Sequence, residues 1–284
     1  VLAAHVRLGF FDPPSMVAYK RLPPQIINSP PHRALARWAA SRVVVLLRNA
    51  NQTLPVDFAA LASTEHIAVV GPNADALQAL WGDYAGPSAG ANVTARDAAI
   101  AEVGLGRVKY AAGCTAHCTN DTGFGDAVAA AQGSRLVVAV MGTQGCGSLD
   151  GHPTQPLEIE GHDRLNISLP GLQEHLLRRI KAAAPGVPLV VVLMSGGAVA
   201  SPWASANADA VLWTGFNGEF SGSGLFDVLS GRTNPGGRMP YTVPQGVAQL
   251  PVITNYNYDS RAAAAQDHMG RTYRYVNLTT QRPL

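Results

Sequence analysis

From about Glu65 onward, short β-branched runs alternate with amphipathic stretches, and no other feature of the sequence restricts the fold as strongly. His66-Ile-Ala-Val-Val-Gly71, Arg107-Val-Lys-Tyr110, Leu136-Val-Val-Ala-Val-Met-Gly142, Leu189–Ser195, Ala210-Val-Leu-Trp213 and Met239-Pro-Tyr-Thr-Val243 have the length and composition of strands. Helices are predicted near Ala95–Glu102, Phe124–Gln132, Pro170–Ala183 and Gly222–Ser230. In the third of these, Pro170 suits a first turn and Leu172, Leu176, Leu177 and Ile180 share one face. Strands that are apolar on both faces and linked by helices belong in a parallel sheet covered on both sides. The expected fold is therefore α/β: a three-layer αβα sandwich with a mostly parallel, flavodoxin-like sheet.

The first forty residues differ in kind. Phe10-Phe-Asp-Pro-Pro-Ser15 and Leu22-Pro-Pro-Gln-Ile-Ile-Asn-Ser-Pro-Pro31 are proline-rich and without period, as in an extended linker, and a helix at His32–Ala40 and a strand at Val43–Leu47 follow. The expected division is an interdomain segment over 1–40, the α/β domain over 41–245 and an extended segment over 246–284. Neither an initiator Met nor a signal peptide opens the chain at Val1, so both ends are expected to lie inside a longer polypeptide.

A hydrophobic content of 47% against 14% charged residues suits a globular core, and a net charge of +2 without a basic run gives no reason to propose a nucleic-acid partner. No stretch nears the ~18 apolar residues that span a bilayer, so no membrane partner is expected either. Asn-x-Ser/Thr sequons stand at Asn51, Asn92, Asn120, Asn166 and Asn277, against roughly one or two expected by chance, which points to the secretory pathway and an extracellular or cell-wall location. Of the three cysteines, Cys114 and Cys118 lie in a Gly/Thr/Asn-rich loop that can hold a small disulfide, leaving Cys146 over. His117 between them raises a zinc site, but no second closely spaced ligand pair accompanies it, so no metal is expected.

In a parallel sheet, ligands meet the loops at the carboxyl ends of the strands, here those after Gly71, Gly142, Ser195 and Thr214. Gly71-Pro-Asn-Ala-Asp has no phosphate-cradling pattern, which argues against a nucleotide, and no cofactor is expected. Met194-Ser-Gly-Gly197 follows a strand but lacks the Gly-x-Ser-x-Gly turn of a nucleophilic serine; two glycines more simply permit close backbone packing. The long aperiodic loop after Gly142 carries Glu158, Glu160 and Asp163 beside His162 and Arg164. A glutamate held against apolar or anionic neighbours keeps its proton near neutrality, as a general acid must. A solvated loop with one Asp–Arg pair accounts for the same residues equally well.

These segments resemble glycoside hydrolase family 3, in its plant-like β-xylosidase branch. Val6-Arg-Leu-Gly-Phe-Phe-Asp12 is similar to the family's R-L-G-x-F-D segment, where a (β/α)8 barrel hands over to a second domain. Val43–Pro55, Ile67-Ala-Val-Val-Gly-Pro-Asn-Ala74, Glu158-Ile-Glu-Gly-His-Asp-Arg164, Leu169-Pro-Gly-Leu-Gln173 and Asn234-Pro-Gly-Gly-Arg-Met-Pro240 resemble successive family motifs, and Gly113-Cys with Cys118 resembles the xylosidase branch in particular. The sequence departs from the pattern at Gly215-Phe-Asn-Gly-Glu-Phe-Ser-Gly222 and in a longer loop between Gln144 and Gln155.

The resemblance implies retaining hydrolysis of a terminal β-linked sugar, with β-xylosidase or α-arabinofuranosidase-like specificity, the nucleophilic Asp residing on a barrel upstream. It implies that this domain supplies the general acid/base, at Glu160 in preference to Glu158, that Asp163 and Arg164 fix the loop, and that His162 lines the sugar pocket. The partners it implies are a carbohydrate substrate, the barrel and a fibronectin-type-III-like domain. A catalytically silent sugar-binding or interaction domain of the same shape, and β-glucosidase specificity, are the alternatives.

Overall fold

The computed structural model describes residues 1–82, 85–86, 90, 92–145, 157–158, 164–252, 254 and 274. It comprises two units, Val1–Ala36 and Arg37–Leu284. In the first, a short helix α1 (Leu2–Arg7) is followed by single 3-10 turns at Pro14–Met16, Ala18–Arg21 and Pro24–Ile26. The segment expected to be extended is thus coiled into turns. Two of these turns begin on a proline, whose fixed φ and missing N–H suit a first helical position.

Helix α2 (Pro30–Arg42) leads to β1 (Val45–Asn49), after which the second unit alternates strand and helix. Its elements are β2 (Ile67–Val70), α3 (Ala95–Val103), β3 (Val108–Ala111), α4 (Phe124–Ala131), β4 (Leu136–Gly142), α5 (Gln173–Ala183), β5 (Leu189–Met194), α6 (Pro202–Asn207), β6 (Ala210–Thr214) and α7 (Ser221–Leu229). The sheet order is β1-β6-β5-β4-β2-β3, parallel except for β1, which runs antiparallel to β6. This is the expected mostly parallel αβα sandwich.

Alternation along each strand sorts the core into two halves. Ala68, Val70, Val137, Ala139, Met141, Val191 and Leu193 meet Phe124, Leu176, Leu177, Ile180 and Ala204 from α4, α5 and α6. Their neighbours Ile67, Val69, Val138, Val140, Val190 and Val192 meet Ala98, Ala99, Leu225, Phe226 and Leu229 from α3 and α7. Leu176, Leu177 and Ile180 are fully buried, and truncating a side chain of this kind costs about 2–5 kcal/mol. Helix α3 starts where Thr94 and Asp97 cap each other reciprocally, satisfying two amides that the first turn leaves open.

Met239–Val243, expected to be a strand, joins no ladder. Pro240 has no N–H to give a neighbouring strand, and Met239 and Tyr241 find burial by packing on the core as loop residues, Tyr241 edge-on to Trp213. Helix α6, absent from the sequence reading, is too short to show a period.

Asp227 on α7 ties three helices together. It accepts bonds from Arg37 Nε and Nη2 (2.9 and 2.8 Å) and from Arg232 Nε (2.8 Å), and Arg232 also grips Glu102 of α3 at 2.7 and 2.8 Å. Burial pushes the Asp227 carboxyl up, but the bonds and charges of Arg37 and Arg232 outweigh it and hold the group below its usual range. A carboxyl depressed on folding stabilises the fold fully above its unfolded pKa, near ~4, and that contribution fades as the pH falls through the folded value. Both arginines are about half exposed, so the contribution is discounted to about 2 kcal/mol. D227N should therefore lower Tm by about 4–8 °C at pH 7 and by much less near pH 3. An equal deficit at both pH values in thermal melts would refute the assignment.

Candidate active site

The strand order reverses between β2 and β4, which turn outward in opposite directions, and doubly wound sheets bind ligands in the crevice at such a point. Here amide side chains occupy the crevice. Buried Asn73, after β2, donates through Nδ2 to the Thr143 carbonyl (3.0 Å), and Gln144 Nε2 donates to Asn73 Oδ1 (3.1 Å).

One strand over, the ends of β4 and β5 form a cradle for Glu158. The Thr143 hydroxyl donates to its carboxylate, the Gly196 N–H donates to Oε2 at 2.9 Å and the Gly197 N–H donates to Oε1 at 2.8 Å. Arg164 Nη2 stands 3.4 Å from Oε1 and also donates to the Ala198 carbonyl. Two successive backbone N–H groups aimed at one carboxylate make an anion-holding nest. Space around it is tight: a Cβ on Gly197 would lie 2.6 Å from Glu158 Oε1, and one on Gly196 would lie 3.1 Å from the Phe216 ring.

A second layer holds the nest. The Trp213 indole N–H donates to Ser195 Oγ (3.1 Å), and Ser195 Oγ donates to the Gly197 carbonyl (2.7 Å). Ser195 is fully buried with its hydroxyl committed to this chain of bonds, which agrees with the packing reading of Met194–Gly197. Burial pushes the Tyr241 phenol up to about 12; the charge of Glu158 adds to the rise and that of Arg164 opposes it. Among the described residues, the Tyr241 hydroxyl and Arg164 Nη1 are buried without hydrogen-bond partners.

Of the residues singled out in the sequence, Glu158 and Arg164 come together, whereas Glu160, His162, Asp163, Cys146 and Asn277 lie outside the described residues. Cys114 and Cys118 form a disulfide, which leaves neither thiolate for a metal. No group of three metal-ligating side chains occurs among the described residues. Asn51, Asn120 and Asn166 are exposed and Asn92 is half-buried. Thr143, Gly196, Gly197 and Trp213 were not readable as site residues. The one available signal was their position just beyond, or at the end of, apolar strands.

The chain belongs to glycoside hydrolase family 3: residues 44–276 match the family's sequence model, described as the glycosyl hydrolase family 3 C-terminal domain. Among curated relatives, the β-xylosidase/α-L-arabinofuranosidase 2 of Medicago sativa subsp. varia is 35% identical over 288 residues, covering 98% of this chain and 34% of that protein. The β-D-xylosidase 1 of Arabidopsis thaliana is 34% identical over 281 residues, covering 96% of this chain and 33% of its own length. A solved family 3 exo-β-xylosidase, bound to a xylobiose aziridine probe, superposes with a TM-score of 0.79 at 28% identity, over 96% of this chain and 33% of that one. The chain thus spans about a third of the length of the curated relatives it matches.

Proposed function

We propose that this domain supplies the general acid/base of a retaining, exo-acting β-glycosidase with β-xylosidase specificity, whose nucleophilic carboxylate lies outside these 284 residues. The observation that carries the reading is the seating of Glu158 at the carboxyl ends of β4 and β5, which anchors the Glu158–Arg164 segment where such sheets do their chemistry. The plant relatives named as β-xylosidases support the sugar.

Within the segment, Glu160 is the reacting group and Glu158 is its anchor. An acid must present an O–H to the leaving oxygen within hydrogen-bond reach. Glu158 instead turns both oxygens to donors of its own domain that need an acceptor. Arg164 braces the same anchor; holding the loop is assigned to Asp163 and binding the sugar to His162. The enzyme acts outside the cell on plant-type oligosaccharides, with exposed Asn51, Asn120 and Asn166 as glycan sites; the disulfide is in keeping with that compartment.

Retention requires two carboxylates about 5–5.5 Å apart and a covalent glycosyl intermediate. NMR of the glycosidase polypeptide carrying this domain, hydrolysing a nitrophenyl β-xyloside, should show β-xylose as the first product. α-Xylose appearing first would overturn the mechanism, and faster turnover of the matching β-glucoside would overturn the sugar.

A further inference from the structure

We propose that Gln173 is a positioning residue that fixes the root of the acid/base loop, an inference that rests on the function proposed above. Gln173 opens α5 and is fully buried. Its Oε1 accepts the Gly142 N–H at 2.8 Å, and its Nε2 donates to the Gly142 carbonyl and to the Ala116 carbonyl, each at 2.8 Å.

The need for such a residue follows from the strand lengths. Pairing between β4 and β2 ends at Val70↔Ala139, whereas β4 continues beside β5 as far as Gly142↔Met194. On the side where β2 has stopped, the N–H and C=O of Gly142 have no strand to bond. A side-chain amide carries the same donor and acceptor as a peptide group, so Gln173 acts as one peptide unit of the missing strand. An unsatisfied buried group of this type costs about 1–3 kcal/mol.

The clamp reaches chemistry in one direction and the disulfide loop in the other. Gly142 is bonded directly to Thr143, whose hydroxyl donates to Glu158 and whose carbonyl accepts from Asn73. On the other side, Ala116 lies between Cys114 and Cys118. The Leu172 N–H donates to the Cys118 carbonyl (2.9 Å), and Gly171, with φ +50°, passes so close that a Cβ would lie 2.1 Å from the His117 carbonyl oxygen. The turn before α5 is therefore locked to the disulfide loop, and Gln173 carries that rigidity across to the exit of β4. Losing it frees the loop root without removing any group that touches sugar.

A displacement of about 1 Å in a reacting group costs on the order of 100-fold. The proton donor matters only where the leaving group needs a proton, so leaving-group dependence separates positioning from general damage. In the glycosidase polypeptide carrying this domain, Q173A should lower kcat/KM for phenyl β-xyloside about 100-fold and for dinitrophenyl β-xyloside less than about 3-fold. Equal losses on both substrates, or no loss on either, would overturn the proposal. Should Q173A fail to fold, Q173N retains an amide but falls one methylene short of Gly142, and it should show the same split. E158A and E160A measured alongside separate the two readings. If either glutamate variant is leaving-group-sensitive and the Gln173 variants are not, only this inference fails. If neither is, the proton-donor assignment fails and this inference falls with it.

Discussion

E160A is expected to slow phenyl β-xyloside hydrolysis by about 1000-fold, or about 4 kcal/mol in the barrier. A dinitrophenyl substrate, whose leaving group departs without a proton, should still form the covalent intermediate at nearly the normal rate. That intermediate then accumulates, because the carboxylate that would activate water is gone, and azide, which needs no general base, should release it as xylosyl azide. Burst kinetics with and without azide check all three consequences. E158A should behave differently: removing the acceptor leaves the Thr143 hydroxyl, the Gly196 and Gly197 amides and Arg164 without their shared partner. The loop then loses its seat and with it the sugar contact proposed for His162, so both substrates should suffer, and azide should restore neither. Azide rescue of E158A with none for E160A would exchange the two roles.

The largest expected effect on stability comes from a glycine rather than a charged residue. Gly142 has φ +129°, and a Cβ there would lie 2.0 Å from the Met194 carbonyl oxygen, 2.9 Å from its carbon and 3.0 Å from its nitrogen. All three atoms are backbone of the central strand β5, so no side chain can swing aside. Backbone strain and overpacking each cost about 1–3 kcal/mol, and G142A should lose about 4 kcal/mol, lowering Tm by about 8–16 °C. The nest would open as well, since Thr143 just beyond β4 and Gly196 and Gly197 beyond β5 hold Glu158 from the ends of the two strands this change forces apart. A melt of G142A within about 2 °C of the parent would show that the two strands separate more easily than this geometry implies.

The strands were legible because burial on both faces leaves its mark residue by residue: β4 coincides with the expected Leu136–Gly142 and β5 with the apolar part of Leu189–Ser195. Met239–Val243 carries a similar mark without being a strand, because apolar residues can pack on a core without entering a ladder. That the segment after Gly142 meets the carboxyl ends of the strands was also legible, since the strands of a parallel sheet share one direction. Its internal arrangement was not. Glu158 is held by Thr143 and by glycines some forty residues further on, through backbone amides that every residue but proline possesses. Gln173 was visible only as a letter in a motif. That it stands in for a length of strand depends on where β2 ends.

The antiparallel strand at the sheet's edge bears on how the domain is made. Among the described strands of this sheet, β1 is the first to leave the ribosome and its neighbour β6 is the last. Contacts so distant in sequence form slowly, and an unpaired apolar strand is open to wrong partners while it waits. Arg37 and Arg48 are under the same constraint, because their acceptors, Asp227 and the Ser205 and Ala208 carbonyls, also lie near the far end of the domain. Synthesis therefore delivers a four-stranded parallel core first, and β1 with its arginines can dock only once β6 has emerged. Proteins that bind nascent chains should find β1 exposed for most of translation, and truncation before Ala210 should leave it without a partner.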